Sequence, residues 1–303
     1  MRIIFFGTSE FAVPALNALI RANMAPIAVV TAPDKPKGRG KNLSSSPIKS
    51  LLDSRTTELD ILIPKKIDSE LIAIIAAYKP DVGIVASYGK ILPKTLIELF
   101  PKGILNIHPS LLPKYRGPSP IQTAILNGDT ETGVTIIAID EKMDHGPIVA
   151  QSRGEAFSSQ KITYLELHNM LAELGAELLI GVLPKWIAGE IIPTLQDDAL
   201  ATYTKLLKKE DGKIDWGKSA EKIERIVRAY NPWPGAWTET QKGILKIKKA
   251  EIVNENGLSA TWFKASDNFP AVMCGKNALK LLIVQPEGKK EMPGDAYMRG
   301  YYK

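Results

Sequence analysis

Short apolar runs alternate with amphipathic stretches over the first two thirds of the chain. Five of these runs are brief and bounded by Gly, Pro or Asp, as is typical of strands that are buried on both faces. They are Ile3–Phe6, Ile27–Val30, Leu59–Ile63, Val82–Ala86 and Ile104–Ile107. The segments between them have helical periodicity at Phe11–Ala22, Pro47–Ser54, Ser69–Tyr78 and Pro93–Phe100. This alternation predicts an α/β fold built on a mostly parallel sheet with helices on both faces.

Two more strands and a long helix are predicted to complete a first domain over residues 1–188. Gly133–Asp140 and Gly146–Phe157 have the pattern of strands that pair as a hairpin at the edge of the sheet. From Tyr164 to Val182 the apolar residues recur in steps of three and four, which indicates one amphipathic helix. The pattern weakens after Gly189, so we interpret residues 189–207 as a polar linker.

The remaining residues, 208–303, are predicted to form a small antiparallel domain. A short helix at Ser219–Ala229 precedes strands such as Leu245–Lys248, in which apolar residues alternate with Lys. Several short strands with glycine turns in so short a segment favour a small β-barrel.

Composition excludes several classes of protein. The length of 303 residues suits two domains, and 45% hydrophobic residues suit a globular core. No apolar run approaches the roughly 18 residues that a membrane span needs, and polar residues follow Phe6 too soon for a signal peptide. The single cysteine, Cys274, precludes an internal disulfide and suits a reducing compartment. We therefore expect a cytoplasmic protein with no membrane partner, and a monomer.

The excess of positive charge lies entirely in the second predicted domain. Residues 208–303 hold eighteen Lys and Arg against twelve Asp and Glu, whereas the rest of the chain is balanced and the net charge is +6. A basic region beside a neutral one indicates a polyanionic partner such as nucleic acid. A solubilising Lys-rich surface is the alternative interpretation.

Common cofactor and metal motifs are absent from the sequence. The turn after the first strand, Gly7–Ala12, lacks the Gly-x-Gly-x-x-Gly pattern of dinucleotide sites, and there is no phosphate-binding Gly-x-x-x-x-Gly-Lys-Ser/Thr loop. The three histidines are His108, His145 and His168, and the absence of Cys-x-x-Cys and His-Glu-x-x-His motifs argues against a zinc site. We expect His145 and His168 to lie at the surface.

Polar side chains gather where the fifth predicted strand ends. Because alternate residues of a strand share a face, Asn106 and His108 point to one side and Ile107 to the other. Ligands of α/β sheets bind at the carboxyl ends of the strands, where an amide and an imidazole suit oxyanion stabilisation and proton handling. Asp144 follows a neighbouring strand and can orient His108. Alternatively, these side chains only satisfy backbone groups of loops and turns.

Taken together, these motifs closely resemble the signature of the folate-dependent formyltransferase superfamily. The resemblance is carried by Asn106–His108, by the loop Ser110–Gly117 and by Asp144. Three further segments make the chain most similar to the branch that formylates a charged initiator tRNA; they are Pro33–Lys41, Asn231–Gly235 and Val284–Lys290. Pro109 departs from the superfamily, which more often has Gly there, and a proline stiffens the loop and removes a backbone donor.

The resemblance implies a Rossmann-like formyltransferase domain followed by a barrel of the oligonucleotide-binding type. It implies that 10-formyltetrahydrofolate is the formyl donor, as a substrate, with no permanently bound cofactor and no metal. The pterin would lie along the fourth strand and the loop after His108, against Val85, Tyr88, Ser110, Leu111, Leu112 and Pro113.

The resemblance also implies the acceptor, which would be the α-amino group of methionine on initiator tRNA, giving N-formylmethionyl-tRNA for translation initiation. Asn106 and His108 would stabilise the oxyanion, and Asp144 would handle the proton. Basic side chains would contact the tRNA; they are Lys35, Lys37, Arg39, Lys41, Lys246 and Lys248. Arg39 would probe the acceptor end, although a solvated loop is the alternative for residues 33–41.

The sequence leaves two other functions open. A related enzyme could formylate glycinamide ribonucleotide or an amino sugar nucleotide, or hydrolyse the formyl donor, but it would not need the basic region at 208–303. A non-catalytic tRNA-binding protein would keep the charge asymmetry but would not need Asn106, His108 and Asp144 together.

Overall fold

The computed structural model of the chain consists of two compact units. It describes residues 1–37, 42–54, 59–152, 154–156 and 161–301. The first unit comprises Met1–Gly117, Glu131–Ala156 and His168–Thr204. The second unit comprises the rest of the described chain.

Strands and helices alternate over much of the first unit, whereas strands predominate in the second. The strands are β1 (Ile3–Gly7), β2 (Ala28–Val30), β3 (Lys35–Lys37), β4 (Asn42–Ser44), β5 (Asp60–Leu62), β6 (Val82–Ala86), β7 (Ile104–His108), β8 (Glu131–Thr132), β9 (Thr135–Ala138), β10 (Ile148–Gln151), β11 (Glu155–Ala156), β12 (Ala236–Thr240), β13 (Gly243–Val253), β14 (Trp262–Lys264), β15 (Pro270–Met273), β16 (Ala278–Pro286) and β17 (Met292–Pro293). The helices are α1 (Ala12–Arg21), α2 (Pro47–Asp53), α3 (Ser69–Ala77), α4 (Lys94–Ile97), α5 (Pro120–Asn127), α6 (Tyr164–Ala188), α7 (Ala220–Tyr230) and α8 (Gly294–Tyr301).

The first unit is built on a sheet in the strand order β10–β9–β7–β6–β1–β2–β5. The five strands from β7 to β5 are parallel, β9 runs antiparallel to β7, and β10 runs antiparallel to β9. Ile3–Phe6 of β1 are fully buried, as expected for a central strand that is covered on both faces. The predicted mostly parallel α/β sheet and its antiparallel edge hairpin are therefore confirmed.

The long helix α6 lies against the sheet behind β7. At Gly175 an added Cβ would lie 2.6 Å from Ile107 Cγ2, so the helix and the strand approach closely there. His168, also on α6, is only 8% exposed, and its ring meets the Phe11 ring edge to face at 5.5 Å. The expectation that His168 lies at the surface is wrong, because the imidazole fills part of the apolar contact between α6 and the segment before α1.

The second unit contains an antiparallel sheet in the order β12–β13–β16–β15–β14, with β17 paired to β16. Leu245 and Ile247 of β13 are buried whereas Lys246 between them is exposed, as the alternating pattern predicts. The register between β13 and β16 shifts on either side of Lys249, and such bulges bend a strand. Helix α7 begins after Ser219, whose hydroxyl accepts a hydrogen bond from the backbone N–H of Lys222. The predicted small antiparallel β domain is confirmed.

The elements that the sequence analysis did not predict include the β3–β4 hairpin, β8, α5 and α8. None of the helices in the described part of the chain is both long enough and apolar enough to cross a bilayer.

Candidate active site

The end of β7 presents two polar side chains on one face. Asn106 is half-buried and His108 is 4% exposed, while Ile107 between them is buried on the opposite face. Strand β7 lies between β6 and β9, where Asn106 is level with Val85 and with Ile137. Strand pairing therefore fixes the backbone of Asn106 on both sides, and pairing with Thr135 of β9 fixes that of His108.

Asp144 reaches these two side chains from the turn after β9. Its backbone is left-handed, with φ +49°, a conformation that Asp tolerates better than most residues. Its Oδ2 accepts a 2.7 Å hydrogen bond from the backbone N–H of Gly117. Its Oδ1 then lies 3.4 Å from Asn106 Nδ2 and 3.6 Å from His108 Nδ1. The three residues predicted to be catalytic are thus in one cluster, half-buried to buried, at the carboxyl end of β7.

The imidazole of His108 contacts an acceptor through each ring nitrogen. Nε2 lies 3.0 Å from the backbone oxygen of Tyr115. Because a carbonyl oxygen only accepts hydrogen bonds, Nε2 carries a proton and donates it. Nδ1 lies 3.6 Å from the Asp144 carboxylate, which helps to orient the ring. The arrangement places an oriented N–H donor at the end of β7.

The loop after His108 is fixed by the hydroxyl of Thr135. This hydroxyl donates to the backbone oxygen of Ser110 at 2.7 Å and accepts from the backbone N–H of Leu112 at 3.1 Å. Gln151 donates to the backbone oxygen of Leu112 at 2.9 Å. Pro109 is accommodated because the N–H of Ser110 reaches back to the oxygen of His108, a tight turn that the restricted φ of proline suits.

The predicted folate-contacting residues differ in their exposure. Ser110, Leu112, Val85 and Tyr88 are buried, whereas Leu111 and Pro113 are half-buried. The Tyr88 ring packs edge to face on Phe6 at 5.5 Å. Its hydroxyl is buried without a hydrogen-bond partner among the described residues, and burial raises its pKa to about 12. Folate contact by this group of residues stays a prediction.

A buried arginine beside the cluster was not singled out from the sequence. Arg116 is 1% exposed and donates through Nη2 to Asp198 at 2.8 Å, through Nη1 to the Tyr203 hydroxyl at 3.2 Å, and through Nε to Gln196 at 3.0 Å. Burial lowers the pKa of the guanidinium, but the hydrogen bonds to Asp198 and Tyr203 outweigh it and the pKa is raised. The hydrogen bond from Arg116 in turn lowers the pKa of Asp198.

Gly117, whose N–H holds Asp144, occupies a position that only glycine fits. Its φ is +111°, and an added Cβ would lie 2.7 Å from Thr204 Oγ1 and 2.8 Å from the Thr204 oxygen. Because strain and overlap add, Gly117→Ala is expected to cost about 3 kcal/mol of stability. The free energy of unfolding in urea, monitored by amide hydrogen exchange in the first unit, measures this cost.

Gly103→Ala is the matched control for Gly117→Ala. Gly103 has φ +68°, but nothing lies within 4 Å of an added Cβ. Only the left-handed conformation is then penalised, by about 1 kcal/mol. Equal losses for the two variants would contradict the close approach between Gly117 and Thr204.

The residues predicted to bind tRNA lie in two parts of the chain. Lys35 and Lys37 are in β3, which pairs with β4, whereas Arg39 and Lys41 lie outside the described residues. In the second unit Lys246 is exposed. Lys248 is largely covered, and its ammonium contacts Glu291 at 3.1 Å and the Asn231 side chain at 3.1 Å.

A basic cleft between α5 and α7 in the second unit was also missed at the level of sequence. Its volume is about 370 Å³, and Lys218, Lys222 and Arg225 line it. The Arg225 guanidinium donates to the backbone oxygen of Asn127 at 3.2 Å, which orients it. Across the described residues, no three His, Cys, Asp or Glu side chains are grouped so as to hold a metal ion.

Comparison with known proteins bears on both units. Residues 1–183 match the formyl transferase family, and residues 206–302 match its C-terminal domain. The chain is 43% identical to the methionyl-tRNA formyltransferase of Chloroflexus aurantiacus, over 100% of this chain and 97% of that protein. It is 40% identical to the enzyme of the same name from Myxococcus xanthus, over 99% of this chain and 95% of that protein.

Solved structures with lower identity share the fold. HypX from Aquifex aeolicus in complex with tetrahydrofolic acid aligns with a TM-score of 0.67 at 18% identity, over 98% of this chain and 47% of that chain. An N-formyltransferase from Helicobacter canadensis, in complex with folinic acid and dTDP-3-aminofucose, aligns with a TM-score of 0.67 at 19% identity. This alignment covers 93% of this chain and 99% of that one.

Proposed function

We propose, for a chain that belongs to the methionyl-tRNA formyltransferase family, that Asn106, His108 and Asp144 carry out its formyl transfer. The chain is a one-carbon transferase that formylates methionyl-tRNA, and its family takes the formyl group from folate-derived donors. The observation that carries the proposal is that one carboxylate oxygen, Asp144 Oδ1, lies within 3.6 Å of both an amide and an imidazole at the end of β7. The specific donor in this proposal is 10-formyltetrahydrofolate.

The first step is attack of the methionine α-amine on the formyl carbon. An α-amine has a pKa of about 7.7–8.0, so a useful fraction is neutral near pH 7 and needs no strong base. Negative charge then develops on the formyl oxygen. Asn106 Nδ2 has two N–H groups and only a long, 3.4 Å contact to Asp144, so it can donate the other to this oxygen.

His108 supplies the second hydrogen-bond donor when its Nε2–H changes its acceptor from a backbone oxygen to the formyl oxygen. In this structure its Nε2–H donates to the Tyr115 oxygen. In the proposed reaction, the formyl oxygen becomes the better acceptor as it gains charge and draws this N–H toward itself. The contact of Nδ1 with Asp144 keeps the ring oriented for this donation.

Asp144 moves the proton that the attacking amine must lose. Its Oδ2 is occupied by the Gly117 N–H, so Oδ1 is the oxygen that faces the reacting groups. In the proposed sequence the ammonium proton passes by way of Asp144 to the folate nitrogen as the bond from that nitrogen to the formyl carbon breaks. The products are N-formylmethionyl-tRNA and tetrahydrofolate.

For the folate we propose contact with Val85, Tyr88 and the segment Ser110–Pro113. Its support is the fixed backbone of that segment, whose oxygens at Ser110 and Leu112 are both held by hydrogen bonds. A rigid loop presents the same backbone groups to each incoming donor without an ordering cost.

For the tRNA we propose contact with basic side chains in both units. They are Lys35, Lys37, Arg39, Lys41, Lys246 and Lys248, of which Lys248 contributes least because its ammonium is already paired with Glu291. The second domain, 208–303 after a linker at 189–207, would hold the tRNA backbone. The charge excess of that region and the cleft at Lys218, Lys222 and Arg225 support this. A cytoplasmic monomer fits an enzyme that serves protein synthesis.

Lys246→Ala is expected to raise KM for charged tRNA about threefold and to reduce the salt dependence of log KM by a slope of about one, because one phosphate contact is lost. KM for the folate donor should not change. Steady-state kinetics at several salt concentrations measures both effects. Lys248→Ala is the matched control, and its effect on KM should be smaller because Glu291 already neutralises that ammonium. Equal salt slopes for Lys246→Ala and the unaltered protein would contradict the contact.

The decisive test is formyl transfer from labelled 10-formyltetrahydrofolate to methionine-charged initiator tRNA. Elongator tRNA, glycinamide ribonucleotide and an amino sugar nucleotide serve as competing acceptors, and free formate reports hydrolysis of the donor. We expect label on the initiator tRNA alone. Label on a small acceptor, or formate as the main product, would contradict the proposed acceptor.

A further inference from the structure

A segment of the predicted linker, residues 194–204, is bonded to the loop that carries the candidate site; we term it the connector segment. The backbone of Thr202 accepts from the Arg116 N–H at 2.9 Å, and its hydroxyl accepts from the Tyr115 N–H at 2.8 Å. The Thr204 N–H donates to the Arg116 oxygen at 2.7 Å. The connector segment therefore fixes the peptide groups on both sides of Arg116, including the Tyr115 oxygen that His108 contacts.

Gln196 of the connector segment contacts the other half of the candidate site. Its Nε2 donates to the backbone oxygens of Asp144 and Gly146, at 2.8 Å in each case. These two bonds hold the peptide groups that follow Asp144 and Gly146, the first of them immediately after the left-handed backbone of Asp144. The direction of the Asp144 side chain depends on that backbone conformation.

Arg116 fixes the orientation of the Gln196 amide. Its Nε donates to Gln196 Oε1 at 3.0 Å, which leaves Nε2 of Gln196 directed at the two carbonyl oxygens. Asp198 and Tyr203, both of the connector segment, hold the rest of the guanidinium. A buried arginine with a hydrogen bond from each of its three nitrogens has a planar fork of fixed geometry, and such a group orients its neighbours.

We propose that Gln196 is a positioning residue for Asp144, and that Arg116 sets its orientation. Gln196 does not touch the reacting atoms; it acts through the backbone of Asp144 and Gly146. The inference rests on the proposed role of Asp144 in formyl transfer. Because a displacement of about 1 Å in a reacting group can cost on the order of 100-fold in rate, a residue that holds Asp144 affects the rate at a distance.

Gln196→Glu tests the proposal. The variant keeps the size of the side chain and an acceptor for Arg116, but it replaces the N–H₂ donor with an oxygen that faces two carbonyl oxygens. We expect kcat to fall by about 10- to 100-fold, with KM for the folate donor and for charged tRNA changed less than about threefold.

Gln196→Met removes the N–H donors without adding charge. It is likewise expected to lower kcat while both KM values stay nearly unchanged. Leu195→Ala is the control, since Leu195 is adjacent and 81% exposed, and it should behave as the unaltered protein does.

A double substitution separates positioning from a general loss of structure. In the Asp144→Asn background, Gln196→Glu is expected to lower kcat by less than about threefold further, since the group that it positions has already lost its function. Losses that multiply, or a rise in KM at unchanged kcat, would overturn the proposal. Thermal unfolding is measured on the same preparations that are used for kinetics, and it shows whether each variant is folded.

The outcomes also separate this inference from the proposed function. If the unaltered protein does not formylate charged tRNA, the proposed function fails. If Asp144→Asn is fully active, the role of Asp144 fails. If Asp144→Asn is impaired while Gln196→Glu and Gln196→Met match Leu195→Ala, only the positioning role of Gln196 fails.

Discussion

Asp144→Ala is expected to lower kcat for formyl transfer by about 1,000-fold, within the range for loss of a group that moves a proton in the transition state. The substitution removes the carboxylate that faces Asn106 and His108 and leaves the Gly117 N–H without its acceptor. Affinity for charged tRNA should stay within about twofold, because a change in transition-state interactions need not alter binding. Single-turnover transfer from labelled donor measures the chemical step, and filter binding measures the affinity.

Two further variants define what Asp144 contributes. Asp144→Asn keeps an acceptor for Gly117 but loses the charge, so it should be almost as impaired as Asp144→Ala if the proton is what matters. Glu141→Ala removes an exposed carboxylate from the same turn, where it pairs with Lys94 at the surface, and should retain full activity. An Asp144→Asn variant with near-normal kcat would show that the carboxylate serves the loop and not the reaction.

The parallel sheet could be predicted from the sequence because its signal is local. A central strand such as Ile3–Gly7 is a short run that is apolar on both faces and ends at glycine, and this length and boundary are typical of a buried strand. The alternation of Leu245, Lys246 and Ile247 likewise indicates a strand with one buried face, which holds Leu245 and Ile247, and one exposed face, which holds Lys246. Each pattern is set by burial of the residues themselves, and the fold class followed from their order along the chain.

Helix α5 and the β3–β4 hairpin could not be predicted in the same way. α5 has Pro120 in its first turn and ends at Gly128 with φ +71°, which are ordinary helix boundaries. However, Pro113, Pro118 and Pro120 stand close together, and so many prolines also indicate an irregular loop. The hairpin strands are three residues each and include Pro36, so neither length nor composition distinguishes them from a loop.

The candidate site was predictable where it depended on strand geometry. Alternation along β7 brings Asn106 and His108 to one face, and the adjacency of β7 and β9 brings Asp144 within reach. The contacts of Arg116 with Gln196 and Asp198 join residues 80 and 82 positions apart. No periodicity marks such polar contacts, so nothing in the sequence separated these residues from an ordinary solvated linker.

Asn106→Ala is expected to lower kcat by about 100- to 1,000-fold, or about 2.7–4 kcal/mol of transition-state stabilisation, which is the effect of removing one oxyanion donor. The reason is that strand pairing on both sides fixes the backbone of Asn106, and its amide already lies beside Asp144, so little reorganisation is needed when charge appears on the formyl oxygen. Single-turnover transfer rates with saturating folate and charged tRNA measure the loss.

The pattern of kinetic changes distinguishes an oxyanion donor from a folate-binding residue. A donor that acts only in the transition state changes kcat and kcat/KM equally, whereas a residue that binds the ground state raises KM for the folate donor. Asn254→Ala, which replaces an exposed asparagine in the second unit, serves as the control and should leave kcat unchanged. Because Asn106 and His108 would act on the same oxygen, the double variant Asn106→Ala/His108→Ala should lose less than the product of the single losses. If Asn106→Ala raises KM for the folate donor and leaves kcat unchanged, Asn106 binds the donor and does not stabilise the transition state.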